Sequence, residues 1–154
     1  MKVAIGADHG GYDLKTDLMK VLVSLGHEVV DKGAHTFDAE DDFPDFAAPV
    51  AEAVQSGETE RGIVICGSGV GATIAANKYS GVRAGLCHDT YSAGQGVQHD
   101  DMNVLCLGAR VVGAALAEAL VVSFMAATLE ANEPRFLRRL EKVTAIEKDQ
   151  ISRS

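Results

Sequence analysis

Cys66 ends the apolar run Gly62-Ile-Val-Ile-Cys66 and stands directly before Gly67-Ser68-Gly69-Val70-Gly71. The run reads as a buried strand and the glycines as a tight turn opening a helix. Glycines let backbone approach a ligand closely, and the N–H groups at a helix start form an anion site. The same donors stabilise a thiolate placed beside them. A phosphatase-type loop needs Arg after five intervening residues, and position 72 is Ala. A Cys-x-x-Cys redox pair needs Cys at position 69, which is Gly. No Gly-Lys-Ser/Thr follows, which excludes a P-loop, and Gly-x-Gly-x-Gly is not the full dinucleotide fingerprint. Asp89 lies near the spacing of a ribose-binding acid and keeps a nucleotide role open. For Cys66 there remains general-base chemistry, weighed against the plainer role of a buried small hydrophobe.

Asp8 and His9 follow a first apolar run, Val3-Ala-Ile5, and precede Gly10-Gly11. His99 lies in Gln98-His99-Asp100-Asp101, before a later apolar run that starts near Asn103. Arg135 and Arg139 are four apart on an expected helix and so share a face, with the fork geometry that suits a phosphate. Arg138 falls off that face, and an ordinary charged helix surface is the competing explanation. His27, His35 and His88 have no partners at metal-ligand spacing, and no Cys/His cluster points to zinc.

These residues need a scaffold, and the hydrophobic pattern supplies one. Expected strands are Val3–Ile5, Glu28–Asp31, Gly62–Cys66, Val82–Cys87 and Asn103–Leu107. Between them, helices are expected near Leu14–Leu25, with Gly26 as its cap, Pro44–Gln55, Val70–Tyr79 and from Asp89. Longer helices follow at Val112–Ala131 and Pro134–Asp149. Thr36–Asp45, with five acidic residues, reads as a solvated loop. Short, continuously apolar strands alternating with helices define an α/β sandwich of three layers around a five-stranded parallel sheet. The order expected is 2-1-3-4-5, with a ligand beyond the carboxyl ends of strands 1 and 3. Asp8-His9 and Cys66–Gly71 occupy those ends.

Composition narrows the partners. The 154 residues carry 14 basic and 22 acidic side chains, a formal net charge of −8. That field repels a polyphosphate, so nucleic acid is not expected. Val111–Leu129 holds one charge, Glu118, but is diluted by Gly113, Ser123, Thr128 and alanines. It reads as a buried or interface helix rather than a membrane span. Three cysteines cannot all pair, and with no signal segment they are expected as reduced thiols in the cytoplasm. One domain is expected over residues 1–149, with a loose tail at 150–154.

Taken together, Gly6-Ala-Asp8-His9-Gly10-Gly11, Cys66-Gly-Ser-Gly-Val-Gly71 with Ala75-Ala-Asn77-Lys78, and Asn103 through Gly108-Ala-Arg110 resemble the B-type ribose-5-phosphate isomerases of the ribose/galactose isomerase family. The resemblance runs in order from Lys2 to about Glu147. It implies a Rossmann-like fold that assembles as a homodimer or tetramer with its active site at a subunit interface. The implied reaction is aldose–ketose isomerisation of ribose 5-phosphate and ribulose 5-phosphate through an enediolate, without cofactor or metal. In that scheme Cys66 is the base, His99 helps open the furanose ring and Asp8 contacts the sugar hydroxyls. The backbone of Gly67, Ser68, Gly69, Val70 and Gly71 holds the enediolate oxygen, and Ser68 adds its hydroxyl. His9, Arg110, Arg135 and Arg139 surround the phosphate, and Asp100 and Asn103 fall among the substrate-contacting positions. Ser68 stands where many members have Thr, and Asp100 where Asn is frequent. Other phosphorylated aldoses, such as allose 6-phosphate, galactose 6-phosphate or a tetrose phosphate, fit the same chemistry. So does a binding module without catalysis, although such a module has no use for Cys66.

Overall fold

The computed structural model describes Met1–Ser154. The sheet comprises β1 (Lys2–Ala7), β2 (Glu28–Asp31), β3 (Arg61–Cys66), β4 (Ala84–Leu86) and β5 (Val104–Gly108). The helices are α1 (Tyr12–Ser24), α2 (Pro44–Gln55), α3 (Val70–Ala76), α4 (Thr90–Asp100), α5 (Ala114–Ala126) and α6 (Pro134–Ser152). All strand pairs are parallel. Side chains alternate across a strand, and both faces here are apolar. Val3, Ile5, Ile63, Ile65, Leu105 and Leu107 pack on α1, α4 and α5, centred on Phe124. Ala4, Val64, Cys66, Val104 and Cys106 pack on α2 and α3. Two cores against one sheet make the expected three-layer sandwich.

The strand order is β2-β1-β3-β5-β4, which corrects the consecutive order 2-1-3-4-5. All five residues of β5 are buried, whereas β4 is three residues long and partly exposed. A continuous apolar run belongs inside a parallel sheet, and a short run containing Gly85 belongs at its edge. The edge is blunted by a side chain: the Asn77 amide donates to the Ala84 carbonyl and accepts from its N–H, both at 2.9 Å. The bracket sits on the first residue of β4, which is shorter than the expected Val82–Cys87.

Three other boundaries differ from expectation. α5 stops at Ala126 rather than Ala131, where Arg61 donates to the carbonyls of Phe124 and Ala127 and so satisfies the helix end. Residues 150–152, placed in a loose tail, form the last turn of α6. The acidic stretch 36–45 is not wholly solvated, because the Asp41 side chain is only 9% exposed. No helix is long and apolar enough to cross a membrane.

Candidate active site

The carboxyl ends of β1, β3 and β5 lie side by side. Ala7 pairs with Ile65, and Cys66 pairs with Gly108. Asp8 therefore leaves the sheet on one flank of Cys66, and Gly108-Ala109-Arg110 leaves on the other. The second flank exists only because β5, not β4, neighbours β3. It is held there by two bonds, from the Ala109 N–H to the Cys66 carbonyl (2.9 Å) and from the Arg110 N–H to the Gly67 carbonyl (3.0 Å). His88 adds a third, accepting the Gly108 N–H at 3.0 Å.

Cys66 is 5% exposed, and its sulfur accepts the Gly69 N–H at 3.1 Å. Gly69 has φ of 79°, a left-handed conformation that turns its amide back onto the sulfur. A Cβ there would come within 2.9 Å of the Leu107 carbonyl oxygen, so no larger residue fits. Val70 donates to the Ser68 hydroxyl at 3.2 Å. The amides of Gly67, Ser68 and Gly71, in the loop that follows Cys66, donate to no group of the chain, which leaves three N–H donors free for a ligand. Gly10 packs against this loop so closely that a Cβ on it would lie 3.1 Å from the Gly67 nitrogen. The side chain of exposed Arg110 lies over Gly67. Phe43, from the start of α2, covers Gly71.

The other two thiols offer no comparable chemistry. Cys106 is wholly buried, and desolvation pushes its pKa up to about 12. Burial also raises Cys87, which lies against the Met102 sulfur.

Asp8 accepts the Gly10 N–H at 2.9 Å. His9 is tied to Asp41 twice, through its amide (2.9 Å) and through ring Nδ1 (2.7 Å), both to Oδ1. That hydrogen bond, more than the nearby charge of Asp8, raises the His9 pKa above its ordinary 6.5. Donor atoms of Asp8, His9 and Asp41 lie within 4.8 Å of one another. The 2.7 Å contact marks a hydrogen-bonded pair, since two ligands of one tetrahedral ion would sit about 3.3 Å apart. Asp41 and Phe43 had no signature in the sequence beyond an acidic, proline-containing stretch.

Asp8, His9, Cys66, Gly67–Gly71 and Arg110 thus converge, and the remaining candidates do not. α4 starts beyond the carboxyl end of β4 and ends at Asp100, before β5 begins, so His99 lies at the opposite edge of the sheet. The strand residues between the edges span roughly 13 Å. There His99 bonds Gln95 (2.8 Å) and stacks on Phe136 of α6. Arg135 also lies over the Phe136 ring, 4.9 Å from its centroid, and Arg139 is exposed one turn on. Asn103 holds the chain before β4, accepting from Arg83 N–H and donating to the Gly81 carbonyl. Asp100 borders a cavity of about 400 Å³ between β4, the end of α4 and α6.

Set beside known proteins, the chain matches the family described as Ribose/Galactose Isomerase over residues 3–143. It is 47% identical over 146 residues to ribose-5-phosphate isomerase B of Escherichia coli K12, covering 95% of this chain and 96% of that protein. Ribose-5-phosphate isomerase B of Clostridium thermocellum superposes with a TM-score of 0.92 at 47% identity, over 97% of this chain and 99% of the other. The Mycoplasma genitalium ribose-5-phosphate isomerase B, solved with bound ribulose 5-phosphate, superposes at 0.90 with 40% identity and 96% of each chain covered.

Proposed function

The chain belongs to the ribose/galactose isomerase family, and we propose that it interconverts ribose 5-phosphate and ribulose 5-phosphate with Cys66 as the base. The observation that carries this is the buried Cys66, whose sulfur accepts the Gly69 amide at the head of a loop with unpartnered Gly67, Ser68 and Gly71 amides, with Asp8 on one flank and Arg110 on the other. The Cys66 thiolate removes the proton from C2 of the open-chain aldose. The C2–H electron pair becomes the C1–C2 double bond, and the carbonyl π pair moves to O1. The resulting enediolate oxygen sits on the free N–H groups of Gly67, Ser68 and Gly71. Preorganised donors of this kind contribute roughly 3 kcal/mol each. The thiol then returns its proton to C1 while the O2 hydroxyl proton passes to O1, relayed by the Ser68 hydroxyl, so that O2 becomes the ketose carbonyl and O1 a hydroxyl. Asp8 orients the sugar hydroxyls, and His9 and Arg110 hold the phosphate.

His99 performs ring opening in this scheme, and within one chain it stands at the wrong edge of the sheet. A second copy must therefore supply His99, together with Asp100, Arg135 and Arg139, whereas the Asn103 amide is committed to Arg83 and Gly81. Exposed apolar side chains support such an assembly: Leu116 and Val122 on α5, and Val143 and Ile146 on α6. Three buried free cysteines are consistent with a reducing, cytoplasmic setting.

The test is turnover of four-, five- and six-carbon aldose phosphates. Ribose 5-phosphate should lead in kcat/KM by about tenfold or more, the scale of one missing or extra hydroxymethyl contact. Preference for a tetrose or hexose phosphate would move the assignment within the family. Saturable binding without turnover of any would favour a binding module.

A further inference from the structure

His9 and Asp41 belong to segments 32 residues apart, yet one carboxylate oxygen, Oδ1, accepts both the amide and the ring of His9. The second oxygen, Oδ2, is buried and has no partner. A carboxylate sealed from water with half its acceptor capacity unmet is costly unless a cation lies beside it. The only ion pair Asp41 makes is with the His9 ring. The ring itself is not sealed in, because 34% of the side chain is exposed. Asp8, from the end of β1, is the second acidic group acting on it, and Arg110 across Gly67 is the cation on the far side of the loop.

Building on the sugar-phosphate assignment above, we propose that Asp41 is a positioning residue that holds the His9 ring charged and oriented as a donor to the substrate's phosphate. With Nδ1–H committed to Asp41, rotation about the ring axis is blocked and Nε2–H is left as the free donor. Asp8 alone does not do this, since it bonds the Gly10 amide and not the ring. The same contact fastens the stretch 36–45 beside the site, with Phe43 of that stretch resting on Gly71. Asp41 thus acts through His9 and touches no substrate atom.

The test uses the full-length protein and three readouts. First, the His9 ring is titrated by NMR in wild type. A midpoint above 6.5 is expected, and a midpoint at or below 6.5 overturns the proposal even if no variant folds. Second, binding of inorganic phosphate is measured by calorimetry for wild type and Asp41→Asn near pH 7.5. The variant keeps the shape and loses the charge, so its His9 midpoint should fall and its Kd should rise about tenfold, the worth of one charge-assisted bond. Asp41→Glu should restore part of both. Third, KM for the sugar phosphate should rise more than kcat falls, and Asp41→Asn should add nothing in a His9→Gln background. An unmoved His9 midpoint, unchanged phosphate affinity or an equal effect in the His9→Gln background refutes the role. The first two readouts need no turnover, so they decide the role of Asp41 even if the isomerase assignment fails.

Discussion

His99 and Phe136 stack face to face, with ring centroids 3.8 Å apart and planes 19° from parallel. Phe136 is 2% exposed and is the only buried residue of α6. One aromatic ring thus anchors a 19-residue helix and fixes the orientation of the histidine proposed to open the sugar ring. Phe136→Ala should destabilise the protein by about 3 kcal/mol and lower kcat more than it raises KM, because His99 loses its backing. Urea denaturation and steady-state kinetics on the same sample check this. A stability loss with unaltered kcat would mean that His99 needs no orientation.

The edge-to-edge separation of His99 from Cys66 gives a sharper expectation. Cys66→Ala and His99→Ala should each be nearly inactive alone. After unfolding, mixing and refolding, half of the dimers are mixed, and each contains one intact site and one site lacking both groups. Activity should return to roughly a quarter of wild type. No recovery on mixing would show that both groups act within one chain.

Gly69 carries a positive φ and meets the Leu107 carbonyl and Leu86 side chain where a Cβ would go. Gly69→Ala should cost at least about 2 kcal/mol from strain and clash together. It should also abolish most activity, since the amide that donates to Cys66 must shift. Thermal denaturation alongside kcat/KM distinguishes this from a harmless turn substitution, which would leave both unchanged.

The raised pKa of His9 sets a pH dependence of stability. Folded His9 binds its proton more tightly than unfolded His9, whose ordinary value is 6.5. The stabilisation is therefore fully present below pH 6.5 and disappears as pH rises through the folded value. Wild type should have a higher Tm than His9→Gln at pH 6, and the gap should close toward pH 9. A gap that widens with rising pH would contradict the ion pair with Asp41.

Much of this architecture was legible because parallel strands announce themselves as short apolar runs. Val3–Ile5 and Gly62–Cys66 placed Asp8, His9 and Cys66 at adjacent strand ends without any coordinates. The order of β4 and β5 was not legible, because both are apolar and the choice depends on which is buried on both sides. Asn103 illustrates a second blind spot. A polar residue before a strand looks like a site residue, yet its amide here ties Arg83 and Gly81 together. Asp41 was hidden for the opposite reason: it sits in an acidic run whose neighbours Asp38, Glu40 and Asp42 are exposed, and only the chain's return past β1 buries it. Arg135 and Arg139, proposed to come from a second copy, read in the sequence as an ordinary charged helix face, and nothing in the pattern assigns them to another chain.

The central claim is that Cys66 carries the proton between C2 and C1. The direct test follows ribose 5-phosphate conversion in deuterated water for wild type and Cys66→Ala, both in chelator and with folding verified by circular dichroism. Wild type should form ribulose 5-phosphate and place solvent deuterium at C1 in at least part of the product. Cys66→Ala should lose about a thousandfold or more in kcat while still binding the sugar phosphate, the scale of a removed catalytic base. Turnover and deuterium incorporation that persist in Cys66→Ala would contradict the claim and shift the base to Asp8 or to His99 from a second copy.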